Sequence, residues 1–168
     1  VNNNTTGASN TGIGTQALQR NTTASNNTAV GFQSLDHNTT GTDNIGIGVS
    51  ALGANTTGDR NTSVGNSSLV TNTTGQNNTA FRFRSMDDTT TISANRSVCV
   101  YTLRENTTGY SNTAMGGLSL YSNTTGYQNT AIGSEALEQN TTGYNNVAVG
   151  WESLDAVSYT HLRAHETD

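Results

Sequence analysis

Apolar side chains recur along this chain at two positions of a 17-residue unit that is repeated nine times. Counted from Asn4, the unit reads N-T-T-G-x-x-N-T-A-[VI]-G-x-x-[AS]-L-x-x, and we number its positions as slots 1 to 17. Slot 10 is always apolar, from Ile13 to Val149, and slot 15 is Leu in eight units and Met86 in the other. Slots 9 and 14 are always Gly, Ala, Ser or Thr. A fixed period of this kind predicts a repeat fold in which each unit stacks on the next.

The alternation of small and large side chains predicts short strands. In slots 7 to 11, Asn-Thr-Ala-Val-Gly, strand geometry sends the Ala and the Val to opposite faces, and it does the same for the small residue and the Leu of slots 14 and 15. Glycine fills slots 4 and 11 in seven of the nine units each, and it allows the positive φ angles that turns need. We therefore predict an all-β fold, a parallel β-solenoid of about nine coils with two short strands per coil. Slots 10 and 15 are expected to form two buried apolar ladders.

The polar slots are as regular as the apolar ones. Stacking places equal slots above one another, and stacked Asn side chains can hydrogen-bond from coil to coil. We expect such Asn ladders at slots 1 and 7, beside the Leu ladder of slot 15. The predicted ladder residues of slot 7 are Asn10, Asn27, Asn44, Asn61, Asn78, Asn95, Asn112, Asn129 and Asn146. Those of slot 15 are Leu18, Leu35, Leu52, Leu69, Leu103, Leu120, Leu137 and Leu154.

Composition leaves two classes open, a disordered spacer and a repeat fold. Leu, Ile, Val and Phe contribute 28 of the 168 residues (10, 5, 10 and 3), a share so low that it favours disorder, but the net charge of −5 is small for a disordered chain. The regular unit favours the repeat fold. With so few apolar side chains to bury, we expect a homo-oligomer. Seven arginines and no lysine, against twelve carboxylates, argue against binding to nucleic acid.

Units five and six depart from the pattern together. Arg82 and Cys99 replace the glycine of slot 11, Ile92 replaces that of slot 4, and Arg96 stands at slot 8. A side chain where a positive φ is needed is expected to strain the backbone. Two interpretations remain open: a binding bulge with Arg82, Arg84 and Arg96 on one side, or degenerate copies that the intact coils tolerate.

Candidate catalytic and metal-binding chemistry is sparse. A single cysteine excludes an intrachain disulfide and a four-cysteine zinc site. His37 is the only histidine within the repeats, so no Ser/His/Asp set can be proposed. We expect no cofactor, no metal and no enzymatic activity.

Two further motifs have a functional and a structural interpretation. Asn-Thr-Thr is formally an N-glycosylation sequon in eight units, but one glycan per coil at a spacing of about 4.8 Å would be crowded, which favours the ladder role. Tyr110, Tyr127 and Tyr144 share slot 5 in three successive units. They are a candidate surface-binding ladder, although packing between neighbours explains them equally well.

The chain divides into a solenoid domain, residues 1–156, and a tail outside the repeat, residues 157–168. The tail resembles translated sequencing-adapter read-through, so we expect it to be artefactual or disordered. His161 and His165 within it have the spacing of a helical metal pair but lack a third ligand. The chain has no membrane-spanning apolar run and no visible signal peptide, and its start without Met indicates a fragment of something longer.

The unit resembles known repeats. Segments 129–136 and 27–34 carry the phrase A-[IV]-G-x-x-[AS], which is similar to the head repeats of trimeric autotransporter adhesins, and the whole unit resembles repeats of tail-fibre-type bacterial and phage proteins. The resemblance covers residues 4 to about 156. It implies a left-handed parallel β-roll, a trimer with three chains side by side, an extracellular, cell-surface or virion location, and attachment to a host surface or a glycan. The period differs, since the adhesin heads usually use shorter coils.

These observations favour a structural or adhesive rod of a cell-surface or phage fibre. The first alternative is a monomeric ice-binding solenoid. Such proteins typically carry Thr-x-Thr, whereas Thr5 and Thr6 and their copies are adjacent and would point to opposite faces. The second alternative is a biofilm matrix or spacer protein. The mass of the particle in solution separates the fibre rod, which is expected to be a trimer, from the monomeric ice-binding solenoid.

Overall fold

The computed structural model describes residues 3–155, which form one parallel β-solenoid. Its nine strands are β1 (Thr11–Ile13), β2 (Thr28–Val30), β3 (Ile45–Ile47), β4 (Thr62–Val64), β5 (Thr79–Phe81), β6 (Arg96–Val98), β7 (Thr113–Met115), β8 (Thr130–Ile132) and β9 (Val147–Val149). They lie in chain order in a single sheet, and each residue pairs with the one 17 positions later, as Thr11 does with Thr28. The predicted all-β parallel solenoid is confirmed. We call each unit a coil. The tail 157–168 lies outside the described residues.

Each described coil contains one strand of three residues, so the second strand predicted at slots 14 and 15 is wrong. A turn takes its place, because the backbone adopts a positive φ at slots 13 and 15, as at Gln33 (55°) and Leu35 (50°). Two such residues around slot 14 remove the strand alternation. As a result Ser34 and Leu35 are both completely buried, rather than on opposite faces.

The core is a thin layer between the small residues of slot 9 and the Leu row of slot 15. Leu18 to Leu137 in this row are fully buried, and Leu154 is partly buried. Burial of each Leu stabilises the fold by about 1.5–3 kcal/mol. A methyl group added at Gly46, in slot 9, would lie 2.7 Å from Ser34 Oγ and 3.3 Å from Leu35 Cγ. Only small residues therefore fit on the inner side of the strand.

The prediction that slot 10 is buried is also wrong. Because slot 9 faces the interior, the strand turns slot 10 outward, and Ile47 is 39% and Ile13 60% exposed. The Leu row already fills the interior, so the larger side chain of each strand pair stays on the outer face of the sheet.

Glycine is needed at slots 11 and 4 for different physical reasons. Slot 11 has the positive φ that was predicted, for example 134° at Gly31. Slot 4 does not, and its glycine serves close approach of adjacent coils. A methyl group at Gly58 would lie 2.3 Å from the carbonyl oxygen of Gly75 and 2.5 Å from Asn55 Oδ1.

Candidate functional site

The slot-7 asparagines form an unbroken internal ladder. The backbone N–H of Asn27 donates to Oδ1 of Asn10 at 3.0 Å, and the same bond recurs at every step up to Asn146, whose N–H donates to Asn129 at 3.0 Å. The side-chain amide also donates forward, from Asn27 Nδ2 to the carbonyl of Gly41 in the next coil at 2.9 Å. Each of these side chains thus links its coil to its neighbours, and the predicted ladder is confirmed as part of the interior.

The slot-1 ladder is built side chain to side chain, and it has one break. Asn55 Nδ2 donates to Asn38 Oδ1 at 2.8 Å and to the carbonyl of Gly58 at 3.0 Å. In coil 6 the slot is Thr89, and the buried Oδ1 of Asn72 has no hydrogen-bond partner. The amides at this slot that are fully buried belong to the sequon residues Asn21, Asn38, Asn55, Asn72, Asn106, Asn123 and Asn140. The interior offers these side chains no room for a glycan.

The three tyrosines of slot 5 stack on one another as predicted. Their ring centroids are 4.9 Å apart, and the planes differ by 6° between Tyr110 and Tyr127 and by 1° between Tyr127 and Tyr144. Tyr127 has both ring faces covered by its neighbours, so a sugar cannot stack on it. A ligand of this ladder would contact ring edges, and binding there stays a prediction.

The outer face of the sheet carries an exposed apolar stripe. We use this name for the side chains of slots 8 and 10. Exposed members are Ile13, Ile45, Ile47, Phe81, Met115, Ile132, Val147 and Val149, each between 38% and 67% exposed. Slot 8 is mostly Thr, and Arg96 is the single charged residue of the stripe. Exposed apolar side chains repeated along one face in this way are typical of an interaction surface. Sequence reasoning missed it because alternation shows that slots 9 and 10 face apart, but not which of them faces in.

The irregular coils carry a second surface, which we call the arginine–aromatic patch: Phe83, Arg84, Tyr101, Arg104 and Tyr121. The rings of Phe83 and Tyr101 meet edge to face at 5.8 Å. The guanidinium of Arg84 lies 5.4 Å from the Phe83 ring, and that of Arg104 lies 5.6 and 5.7 Å from the rings of Tyr101 and Tyr121. These residues occupy slots 12, 13 and 16, whose variability gave no signal in the sequence.

The bulge of three arginines, one of the two interpretations of units five and six, takes a different form. Arg96 lies on the apolar stripe, while Arg84 Nε lies 3.5 Å from Asp87 Oδ2. Arg104 Nε lies 3.9 Å from the same oxygen. Arg84 therefore joins Arg104 through Asp87 rather than Arg82 and Arg96.

The carboxyl groups of Asp87, Glu138 and Glu152 have raised pKa values. Burial, and then the charge of Asp88, raise the pKa of Asp87, against the opposing effect of Arg84 and Arg104. In coils 8 and 9, slots 13 and 16 hold Glu135, Glu138, Glu152 and Asp155, which we call the acidic patch. Burial raises the pKa of Glu138 and of Glu152, and the neighbouring carboxylates raise both further.

The single histidine of the repeats, His37, lies beside a recess. A recess of about 310 Å³ is lined by His37, Asp36, Gly53 and Thr71, among others. His37 Nδ1 donates to the Gly53 carbonyl at 3.0 Å and lies 3.4 Å from Asp36 Oδ2. Between residues 3 and 155 there is no group of three or more His, Cys, Asp or Glu that could hold a metal ion. The same residues contain no helix that could span a membrane.

Comparison with known proteins gives no match: no protein-family model, no curated protein and no solved structure is similar to the chain.

Proposed function

We propose that the chain is a structural or adhesive rod segment of a cell-surface or virion fibre, and that it works as a homo-oligomer. The observation that carries this proposal is the apolar stripe, which follows the sheet along all nine strands with slot-10 side chains up to 67% exposed. Large exposed apolar surfaces are uncommon on monomers. Other copies of the same rod are the simplest partners to bury the apolar stripe, because each offers a matching stripe of the same length.

The physical gain is that of burying the stripe. Each Val, Ile, Met or Phe that moves from water into an interface contributes up to about 1.5–3 kcal/mol. The thin interior leaves these side chains outside the single chain, so association supplies burial that folding alone does not. Three parallel rods would enclose the stripe between them, which agrees with the trimer implied by the resemblance to adhesin heads.

Light scattering of the purified chain tests this proposal, with an expected mass of three chains. Ile47→Asp places a charge in the stripe at a side chain that is already 39% exposed, so the single chain should fold and the oligomer should dissociate. Thr57→Asp, at an exposed position in slot 3 outside the stripe, is the matched control and should leave the mass unchanged. A monomeric wild-type chain would contradict the proposal.

Adhesion through a repeated surface is the second part of the proposal. The tyrosine ladder of slot 5 offers a repetitive aromatic edge to a host surface or glycan. Tyr127→Ala should then weaken binding of the rod to immobilised glycans, while the mass of the particle stays unchanged. Equal glycan binding by the wild-type chain and by Tyr127→Ala would show that the tyrosine ladder is not the adhesive surface.

Ice binding remains the second candidate, and one observation favours it. The stripe sets a Thr of slot 8 beside an aliphatic residue of slot 10 on one face of the sheet, as in Thr62 and Val64. The Thr pair of slots 2 and 3 does not offer such a surface, because the slot-2 hydroxyl donates to the next coil, from Thr39 Oγ1 to the Thr56 carbonyl at 3.0 Å. A monomer that shows thermal hysteresis would support this function.

A further inference from the structure

The arginine–aromatic patch and the acidic patch lie on the same face of the rod. Both use slots 13 and 16, with the arginines in coils 5 and 6 and the four carboxylates in coils 8 and 9. Contacts of the Arg104 guanidinium with Tyr101, in slot 13, and Tyr121, in slot 16, show that the two slots are neighbours on one surface. We call this surface, slots 12, 13 and 16 of coils 5 to 9, the charged face.

We propose that a second copy of the chain docks on the charged face in antiparallel orientation, about a two-fold axis at coil 7. A two-fold axis in the plane of the face and perpendicular to the rod reverses the order of the coils and keeps each slot opposite itself. Coil 5 then faces coil 9, and coil 6 faces coil 8. This placement brings Arg84 opposite Glu152 in slot 13, and it brings Arg104 opposite Glu138 in slot 16.

The apolar residues of the charged face match in the same register. In slot 12, Phe83 of coil 5 is 41% exposed and Trp151 of coil 9 is 71% exposed, and the axis sets these two rings opposite each other. Buried aromatic side chains of this kind supply most of the energy of small interfaces. At the axis itself, Gly117 and Leu118 of one copy would face the same residues of the other, and neither carries a charge.

The charges of the carboxylates also favour a cationic partner. Mutual repulsion contributes to the raised pKa values of Glu138 and Glu152 in the single chain, and opposed guanidinium groups would relieve it. One pair of like charges remains, Asp87 opposite Asp155. Asp87, however, already has Arg84 at 3.5 Å and Arg104 at 3.9 Å in its own chain.

A parallel arrangement of the same faces is less favourable. With the two-fold axis along the rod, each coil faces itself and slot 13 faces slot 16. Arg84 would then face Asp87, which is favourable, but Glu152 would face Asp155 and Glu135 would face Glu138, so that the acidic patch meets its own copy. Like charges placed opposite each other cost several kcal/mol in an interface. The charge pattern therefore selects the antiparallel pair.

This docking goes beyond the proposed function and uses a different surface from the apolar stripe. Five coils at about 4.8 Å span about 24 Å, so the contact is small and belongs to the weak, transient class. Weak cross-contacts between rods that run in opposite directions would connect neighbouring fibres.

The test uses charge reversal in an Ile47→Asp background, which keeps the apolar stripe out of the measurement. Sedimentation equilibrium at high protein concentration and low salt should show a dimer. Glu152→Arg and Arg84→Glu should each weaken it at least tenfold, and the double variant should restore it, because each reversed pair occurs twice in a two-fold dimer. Glu152 is exposed, so its reversal leaves the fold intact, as circular dichroism would verify. A double variant as weak as the single ones overturns the proposal.

Disulfide trapping gives an independent readout of the axis. In a Cys99→Ser background, Leu118→Cys should form an intermolecular disulfide with its own copy, since it lies next to the axis. Ser50→Cys occupies the same slot in coil 3, which faces no coil of the partner, and should stay monomeric. Equal cross-linking of both variants contradicts the register. If instead the chain with Ile47→Asp alone remains a trimer, the proposed role of the stripe fails and the charged face is unaffected.

Discussion

Asparagine suits slot 7 because its amide meets both demands of that position. Its Oδ1 accepts the backbone N–H of the next coil, as Asn61 does from Asn78 at 3.0 Å, while its Nδ2 donates to a carbonyl in the next coil, from Asn61 to Gly75 at 2.8 Å. Aspartate lacks the donor, and an apolar residue lacks both. A buried backbone group without its partner costs about 1–3 kcal/mol, so each substitution there is expensive.

Asn61→Ala should therefore destabilise the rod by about 2–4 kcal/mol, because it removes the acceptor of the buried Asn78 N–H and one of the two amide donors to the Gly75 carbonyl, which keeps only Asn72 Nδ2 at 3.2 Å. Asn66→Ala, five residues on and exposed in slot 12, should stay within about 0.5 kcal/mol of wild type. Denaturant unfolding followed by circular dichroism measures both. Similar losses for the two variants would show that the ladder does not carry the stability.

Leucine at slot 15 is held in a backbone conformation that its side chain disfavours. Its φ is 51° at Leu18 and 53° at Leu52, a left-handed conformation that costs an L-residue about 1–2 kcal/mol. Complete burial of the side chain offsets this cost by about 1.5–3 kcal/mol. The sequence did not predict the turn because Leu, Gln and Ser give no left-handed signal, unlike glycine.

Arg82 occupies the slot-11 turn with a φ of 91°, where seven other coils have glycine at 126° to 144°. Arg82→Gly relieves this strain but makes the unfolded chain more flexible, so we expect a net gain of about 0.5–1 kcal/mol and a higher melting temperature. Cys99 has a φ of 158°, close to an extended conformation, so Cys99→Gly is the control and should give no gain. No rise in melting temperature for Arg82→Gly would mean that the turn tolerates a side chain.

At the scale of the elements, the sequence identified the strand that repeats and missed the geometry between strands. The 17-residue period, the Thr-Ala-Val strand and the Asn ladders followed from residues that recur in almost every unit. The second strand was wrong because pairs of left-handed residues, rather than sequence alternation, shape slots 13 to 15. The apolar stripe was missed because Leu from slot 15 fills the interior and excludes the larger residue of each strand, and the arginine–aromatic patch lies in slots without a repeat.

The ion network of coils 5 and 6 predicts a pH-dependent stability. Burial and Asp88 raise the pKa of Asp87 above its ordinary value of 3.8, so folding disfavours the charged form. The protonated carboxyl group of Asp87 therefore makes its full contribution to stability below pH 3.8, and this contribution is lost as the pH rises through the raised pKa.

The free energy of unfolding of Asp87→Asn should consequently rise relative to that of wild type as the pH increases from 3.8 through the raised pKa of Asp87. Below and above this pH interval, the difference in free energy between the two proteins should not change with pH. Melting temperatures measured from pH 3 to pH 8 would show this. Asp43→Asn removes the same charge at an exposed site and controls for the change in net charge. A difference that narrows with rising pH would show that the arginines outweigh burial at this carboxyl.

At the scale of the whole molecule, the rod consists of two regular blocks that meet at coil 6. Stability in a stacked repeat is close to a sum of coil terms and neighbour terms, and the neighbour terms are reduced here. The slot-11 N–H of Gly48 donates to the Val30 carbonyl at 2.8 Å, and that of Gly65 donates to Ile47 at 2.8 Å. Within residues 3–155, Cys99 and Gly116 make no such bond, and Thr89 interrupts the slot-1 ladder in the same coil.

Hydrogen exchange should resolve these two blocks, because amides that lack a partner open without breaking an inter-coil bond. We expect the amides of Cys99 and Gly116 to exchange faster than those of Gly48 and Gly65, with protected segments on either side. Thr89→Asn in an Ile92→Ala background, which reproduces the Asn21–Ala24 pair of coil 2, should slow exchange throughout coil 6 relative to that background, since the new amide can donate to the unpaired Asn72 Oδ1 and accept from Asn106 Nδ2. Thr90→Asn in the same background, one residue later and exposed, should have no such effect. Because each coil contacts only its neighbours, restoring the slot-1 hydrogen bonds between coils 5, 6 and 7 should raise the free energy of unfolding of the whole rod. Uniform protection along the wild-type chain would instead make it a single cooperative unit.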